Sequence, residues 1–321
     1  MNRLIDRYAV VFVAVAATLW ASDAYFRNQL VSHLSASQIV VAEDALVTLF
    51  LLPVLIRSRH ELRLLGARGW TAVLIIAAGA QALATLLFTA SFSIAAQHQL
   101  FAETFVLQQT QPLIAILLAW IVLGERRRPW FWPAVAVAIV AVYMVLFASD
   151  PLQPVTALRN GRLEVGLLAL GAAALWASGT VLGRFALIKI NFWSMTALRF
   201  TLALPVLVVV VLVQNGAGGF GHYSFSDFVP NLLAIAIVPG LLALLLYYRA
   251  LSRTPASLAT IAEMAYPVAA TLIASAPPFN QPLYPAQIVG TALLIGVIVF
   301  LNLTKDRAAE ISPAALKLAE S

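Results

Sequence analysis

Long apolar stretches separated by short polar connections recur along the chain from residue 8 to residue 303. Each stretch has roughly 18 to 24 mostly apolar residues, the length that an α-helix needs to cross the hydrocarbon core of a bilayer. The pattern therefore predicts an all-α integral membrane protein with ten transmembrane helices. The predicted spans are residues 8–25, 37–56, 70–92, 97–123, 129–147, 164–187, 193–213, 228–251, 257–275 and 285–303.

The fourth stretch, residues 97–123, is the most polar of these spans in its middle. Read as one helix, it places Gln97, Thr104, Gln108 and Gln111 on a single narrow face. Pro112 would then leave the carbonyl of Gln108 without its helical partner, at a depth where lipid offers no replacement. Such a face indicates either the wall of a solute pathway or a hydrogen-bonded seam between helices.

The second half of the chain repeats the first. The motif LWAS at residues 19–22 returns at residues 175–178, and the prolines Pro112 and Pro267 occupy corresponding places in the fourth and ninth spans. Pro267 would free the carbonyl of Glu263 as Pro112 frees that of Gln108, so both are predicted helix breaks. Because each half has an odd number of spans, the two copies must be inverted in the membrane. The predicted units are residues 1–148, an outer linker 149–163, residues 164–304, and a cytoplasmic tail 305–321.

Composition agrees with this interpretation, since 62% of the residues are hydrophobic and 11% are charged. The net charge of +6 lies mainly on one side of the predicted bundle. By the positive-inside rule this side is cytoplasmic and contains both termini, so the basic charge indicates topology and not nucleic-acid binding. Arg199, near the inner end of the seventh span, is predicted to extend towards this interface.

Motifs for catalysis and cofactor binding are absent from the sequence. It contains no cysteine, its four histidines are scattered, and no nucleoside-triphosphate-binding loop occurs. The GxGxxG pattern at residues 216–221 follows a membrane helix, so it is interpreted as an outer loop. We therefore expect no metal, no cofactor and no enzymatic activity, with the lipid bilayer and a small-molecule substrate as partners.

Several motifs resemble the drug/metabolite transporter superfamily with two EamA-type repeats. They are the two LWAS copies, PLIAILLAWIVLGE at residues 112–125, ALRF at residues 197–200 and TPASLATIAEMAYPV at residues 254–268. The overall pattern is most similar to the YddG-like aromatic amino-acid exporters of bacterial inner membranes. This resemblance implies a central cavity and the export of tryptophan, phenylalanine and tyrosine.

The expected substrate site combines polar and aromatic side chains of six spans. Glutamine and glutamate groups would bind the amino and carboxylate groups of the substrate, and aromatic rings would form the walls. The predicted residues are Trp20, Gln81, Thr85, Gln108, Gln111, Trp176, Tyr247, Tyr248, Glu263 and Tyr266.

Three acids of the spans are candidates for coupling to a driving force. Glu103, Glu263 and Asp44 can each carry a transported proton or serve as a plain hydrogen-bond anchor. The driving force, the choice between monomer and homodimer, and the solute itself stay open. A nucleobase, a sugar or a polyamine is an alternative substrate, and a channel-like facilitator or an intramembrane enzyme is an alternative mechanism.

Overall fold

The computed structural model describes residues 7–27, 30, 33–98, 107–155, 163–222, 225–277 and 280–304, and these residues form helices without any strand. We number ten helices along the chain, of which α3, α8 and α9 consist of consecutive segments. Their bounds are Ala9–Ala21 (α1), Ala36–Arg57 (α2), Gly66–Leu74, Ile75–Leu83 and Ala84–His98 (α3), Gln111–Leu123 (α4), Phe131–Leu146 (α5), Leu163–Ala186 (α6), Phe192–Asn215 (α7), Phe225–Ile235, Ala236–Leu242 and Ala243–Leu251 (α8), Ala256–Glu263 and Ala265–Ser275 (α9), and Pro285–Leu303 (α10). Short helices Asp23–Arg27, Arg59–Leu62 and Ala217–His222 lie in the connections.

Seven helices of the described chain are long and apolar enough to cross a membrane, namely α2, α3 and α6 to α10. The helices α1, α4 and α5 are also apolar but have 13, 13 and 16 residues. The structure thus confirms the prediction of an all-helical protein with several apolar spans. The first, fourth and fifth predicted spans correspond to helices shorter than the sequence pattern indicated.

Local sequence signals explain where several helices begin and end. The hydroxyl of Ser35 accepts the backbone N–H of Gln38, whose side chain accepts the N–H of Ser35 in return, so α2 begins with a capping box. Asn191 caps α7 in a similar way by accepting the N–H of Ser194. Gly124 ends α4 in the left-handed conformation that glycine adopts without strain.

The prediction of one helix over residues 97–123 was wrong. In the described part of this stretch a turn at Gln109 and Thr110 precedes α4, and Pro112 lies in the first turn of the new helix. A proline is tolerated there because the N–H groups of a first turn have no partner within the helix. The ninth span is divided as well, at Met264, and Pro267 is the third residue of its second segment.

Packing pairs each helix with a counterpart from the other half. Helix α1 packs on α8 and α9, while α6 packs on α3 and α4. The remaining helices also pair across the two halves, since α2 packs on α7 and α5 packs on α10. Each half therefore buries its first helix against the third and fourth helices of the other half, and the two halves share one core.

Candidate functional site

A partly buried hydrogen-bond cluster, the Glu263 cluster, surrounds Glu263 where α9 is divided. One carboxylate oxygen, Oε1, accepts from the hydroxyl of Tyr247 at 2.7 Å and from Thr180 at 3.1 Å. The other oxygen, Oε2, accepts from Nε2 of Gln111 at 3.0 Å. The hydroxyls of Tyr247 and Thr180 lie 3.0 Å apart, so these side chains form a closed network. Helices α4, α6, α8 and α9 thus converge on one carboxylate.

Two more glutamines extend this cluster along the turn before α4. The amide of Gln108 donates to Oε1 of Gln111 at 3.3 Å, and the amide of Gln109 donates to Oε1 of Gln108 at 2.9 Å. All three glutamines and Glu263 are partly exposed. A solute that reaches them would meet amide donors, amide acceptors and a carboxylate.

A second polar cluster, the Arg199 cluster, includes Tyr248, the chain neighbour of Tyr247. Nε of Arg199 donates to Oε1 of Gln81 at 2.6 Å, and Nη1 of Arg199 donates to the hydroxyl of Tyr248 at 3.0 Å. Nε2 of Gln81 donates to Oδ1 of the fully buried Asp44 at 3.0 Å. The prediction that Arg199 extends to the membrane interface was therefore wrong, because Gln81 and Tyr248 provide acceptors inside the bundle.

Aromatic rings connect and flank the two clusters. The ring of Tyr247 lies 5.0 Å from that of Trp20 and 5.4 Å from that of Tyr248, measured between centroids. The ring centroids of Trp176 and Phe88 lie 5.3 Å apart. Tyr247 and Tyr248 are 2% and 0% exposed, so they join the clusters from inside the core. The tryptophans are partly exposed and can contact a solute with their ring faces.

Other predicted site residues lie outside these clusters. Tyr266 is 38% exposed, and the hydroxyl of Thr85 donates to the backbone carbonyl of Gln81 in its own helix. Glu103 falls outside the described residues.

The described chain contains no group of three or more potential metal ligands. An open groove of about 410 Å³ along α3 contains none of the cluster residues in its lining, which consists of Thr71, Leu74, Ile75, Ala78, Gly79 and Leu83.

Sequence reasoning missed Thr180 and Gln109 as members of the Glu263 cluster, and it assigned Arg199 to the interface. Thr180 follows the second LWAS copy by two residues, so its position beside a repeated motif was an available signal. For Arg199 the signal was stronger, since an arginine within an apolar span indicates a function at membrane depth.

A third polar group, which we call the α4–α9 clamp, consists of Glu125, Arg127 and Ser257. Oε1 of Glu125 accepts the backbone N–H of Ala256 at 2.7 Å, and Oε2 accepts that of Ser257 at 3.1 Å. Nη2 of Arg127 donates to Oε2 of Glu125 at 2.7 Å, and Nε of Arg127 donates to the hydroxyl of Ser257 at 2.5 Å. The carboxylate of Glu125 therefore caps the first turn of α9 and fixes it to the end of α4.

Comparisons with known proteins agree with the all-helical architecture. A riboflavin transporter, ImpX of Fusobacterium nucleatum subsp. nucleatum, is 28% identical over 200 residues, which are 61% of this chain and 64% of that relative. The match thus spans somewhat less than two thirds of the relative's length. A solved crystal structure of a protein has a TM-score of 0.71 at 16% identity, with 93% of this chain and 97% of that chain covered, which shows a common fold.

The model of the EamA-like transporter family matches residues 7–147 and 165–303, one match in each half of the chain. These two matches cover most of the sequence and contain the Glu263 cluster, the Arg199 cluster and the α4–α9 clamp. The chain belongs to the EamA-like transporter family.

Proposed function

We propose that this small-molecule transporter of the EamA family exports amino acids, with a preference for aromatic ones, by alternating access through a cavity between its two repeats. The observation that carries the proposal is the Glu263 cluster at the break in α9. A carboxylate that accepts hydrogen bonds from three other helices is suited to exchange some of these donors for the ammonium group of a substrate. Trp20, beside Tyr247, offers an aromatic face next to it.

The correspondence between the halves supports alternating access. Helix α4 begins after a turn, with Pro112 in its first turn, and α9 is divided at Met264, three residues before Pro267. Broken helices at the interface of inverted repeats commonly form substrate sites in transporters. The first helix of each half packs against the third and fourth helices of the other, so movement of one half relative to the other would reshape the site. In this mechanism the two repeats, residues 1–148 and 164–304, are inverted relative to each other in the membrane and are joined by the linker 149–163.

The charge distribution supports placement in a bacterial inner membrane with both termini in the cytoplasm. Arginines occur together after α2 and after α4, at residues 57–68 and 126–128. Loops with such a concentration of positive charge are retained in the cytoplasm during insertion.

A flavin is a second candidate substrate, because the relative ImpX is named as a riboflavin transporter. The glutamines of the Glu263 cluster and the partly exposed tryptophans suit a planar ring system with several hydrogen-bonding groups. Both candidates require aromatic contacts, but they differ in charge, since an amino acid carries an ammonium and a carboxylate and riboflavin carries neither.

The experiment is uptake into proteoliposomes of the purified protein. Labelled tryptophan and labelled riboflavin are each offered with and without a pH gradient, with unlabelled phenylalanine, riboflavin and a polyamine as competitors. We expect saturable tryptophan uptake that phenylalanine inhibits. Saturable riboflavin uptake without tryptophan uptake would replace the substrate and keep the transporter, and flux that does not saturate would indicate a channel.

A further inference from the structure

Arg199 has no carboxylate within 4.0 Å among the residues that the structure describes. Its described hydrogen bonds go to an amide and a phenol, namely Gln81 and Tyr248. A cation inside a membrane bundle is costly unless it meets negative charge or many acceptors, so positions of this kind usually serve a function. The environment of Arg199 therefore supplies orientation without neutralising its charge by direct contact.

The two hydrogen bonds leave one edge of the guanidinium available. An arginine side chain has five N–H groups, and the bonds to Gln81 and Tyr248 use one on Nε and one on Nη1. One group on Nη1 and two on Nη2 remain, and one donor from each of these two nitrogens can together bind both oxygens of a carboxylate. Arg199 is partly exposed and is therefore not sealed within the protein core.

The surroundings hold this edge in a fixed direction. Gln81 lies in the π-helical segment of α3 and is itself held by the buried Asp44. The ring of Tyr248 lies 6.0 Å from the guanidinium carbon, and Tyr248 is fully buried. An arginine oriented in this way loses little conformational freedom when it binds a planar anion.

We propose that Arg199 binds the carboxylate of the transported amino acid and selects substrates that carry one. This inference rests on the proposed function. The neighbouring residues Tyr247 and Tyr248 contact Glu263 and Arg199 respectively, so one turn of α8 joins an acidic and a basic group. A zwitterionic amino acid matches this pair, whereas neutral riboflavin matches neither charge.

The test compares tryptophan with tryptamine, which has the same indole and amine but no carboxylate. In wild-type proteoliposomes we expect unlabelled tryptophan to inhibit labelled tryptophan uptake at much lower concentration than tryptamine. In Arg199→Gln we expect KM for tryptophan to rise about 10- to 100-fold, the range for a lost charged hydrogen-bond pair. The ratio of the two inhibitory concentrations should then fall towards one, a change that a merely structural role for Arg199 would not produce.

Two further variants complete the test. Arg249→Gln removes the same charge from the last turn of α8, where Arg249 lies over the ring of Phe192, and should keep the wild-type ratio. Arg199→Lys, which keeps the charge but loses the paired donors, should have an intermediate ratio, and it carries the test if Arg199→Gln does not fold. If wild-type protein transports tryptophan and Arg199→Gln keeps the wild-type ratio of inhibitory concentrations, the role of Arg199 is overturned and the proposed function is not. Wild-type protein that does not transport tryptophan overturns the proposed function and this inference together.

Discussion

Glu263 receives hydrogen bonds from Gln111, Thr180 and Tyr247, each on a different helix. An ionised carboxylate in a membrane bundle requires such donors, because insertion of an acid at the centre of a span costs about 3 kcal/mol on biological scales. The donors are hydroxyl and amide groups, which can exchange one partner for another. Glu263 is therefore the residue on which we expect the transport rate to depend most strongly.

We expect Glu263→Gln to lower kcat/KM for tryptophan about 10- to 100-fold, because hydrogen bonds to a charged group contribute about 1.5 to 3 kcal/mol. Glutamine has nearly the same shape, so the variant should purify in normal yield. The matched control is Glu164→Gln, which changes an exposed glutamate at the start of α6. Initial uptake rates in proteoliposomes give both values, and a wild-type rate in Glu263→Gln would show that the site lies elsewhere.

The residue pattern of the sequence predicted part of this site. Gln108, Gln111, Tyr247 and Glu263 were all predicted, and the structure brings them into one cluster because the start of α4 contacts α9 where α9 is divided. Arg199 was assigned to the membrane interface because periodicity gives the face and depth of a residue but not its neighbours. Gln81 comes from the other half and Tyr248 from another helix of the same half, and no short sequence pattern indicates either contact.

At the scale of the element, α3 and α8 are alike in containing a π-helical segment, at Ile75–Leu83 and Ala236–Leu242. Each segment contains a glycine in a close approach. A Cβ on Gly79 would lie 3.2 Å from Leu175, and one on Gly240 would lie 3.3 Å from Oε1 of Glu43. Such segments widen a helix locally and are frequent at functional sites. In α3 the segment contains Gln81, the residue that orients Arg199. The apolar pattern predicted both helices but not this local widening, because segments that are apolar at nearly every position show no clear period from which a turn length could be read.

The contact between α5 and α10 permits a test of helix packing. A Cβ on Gly290 would lie 2.6 Å from the backbone oxygen of Ala141, which cannot move independently of α5. We therefore expect Gly290→Ala to destabilise the protein by about 1 to 3 kcal/mol, the usual range for overpacking. Thermal unfolding in detergent, followed by tryptophan fluorescence, should show a lower Tm.

Gly296→Ala in the same helix is the matched control, since a Cβ there would meet no atom within 4 Å. Its Tm should stay the same or rise slightly, because alanine is the better helix former by up to about 1 kcal/mol. Equal Tm values for the two variants would mean that α5 and α10 are not in the close contact described.

At the scale of the whole molecule, each half packs its first helix into the other half, so the two halves do not merely lie side by side. Because α1 packs on α8 and α9 and α6 packs on α3 and α4, neither half can bury its own first helix alone. The elements that would have to move relative to each other during transport are thus the same ones that contain the Glu263 cluster. In the proposed mechanism, a contact that joins α4 to α9 outside that cluster would limit how far the site opens on one side of the membrane.

The α4–α9 clamp is such a contact, and its charges are buried. The side chains of Arg127 and Glu125 are 7% and 1% exposed, and removal of one member of a buried ion pair costs about 3 to 5 kcal/mol. Glu125→Gln would also place an amide donor against the N–H groups of Ala256 and Ser257. We therefore expect this variant to loosen the first turn of α9 and to expose Thr260, which is fully buried and lies between the clamp and Glu263 along α9.

Because the chain contains no cysteine, Thr260→Cys provides a single reporter. A water-soluble maleimide should label it slowly in the otherwise wild-type protein and at least several-fold faster when Glu125→Gln is added. The matched control is Arg126→Gln, which removes an exposed charge next to the clamp and should leave the labelling rate unchanged. Equal rates in all three proteins would contradict a role of the clamp in closing this side. Faster labelling only when Glu125→Gln is present would mean that access to the site is controlled where α4 ends and α9 begins. The first half of the chain, through Glu125, would then hold the first turn of α9 in the second half.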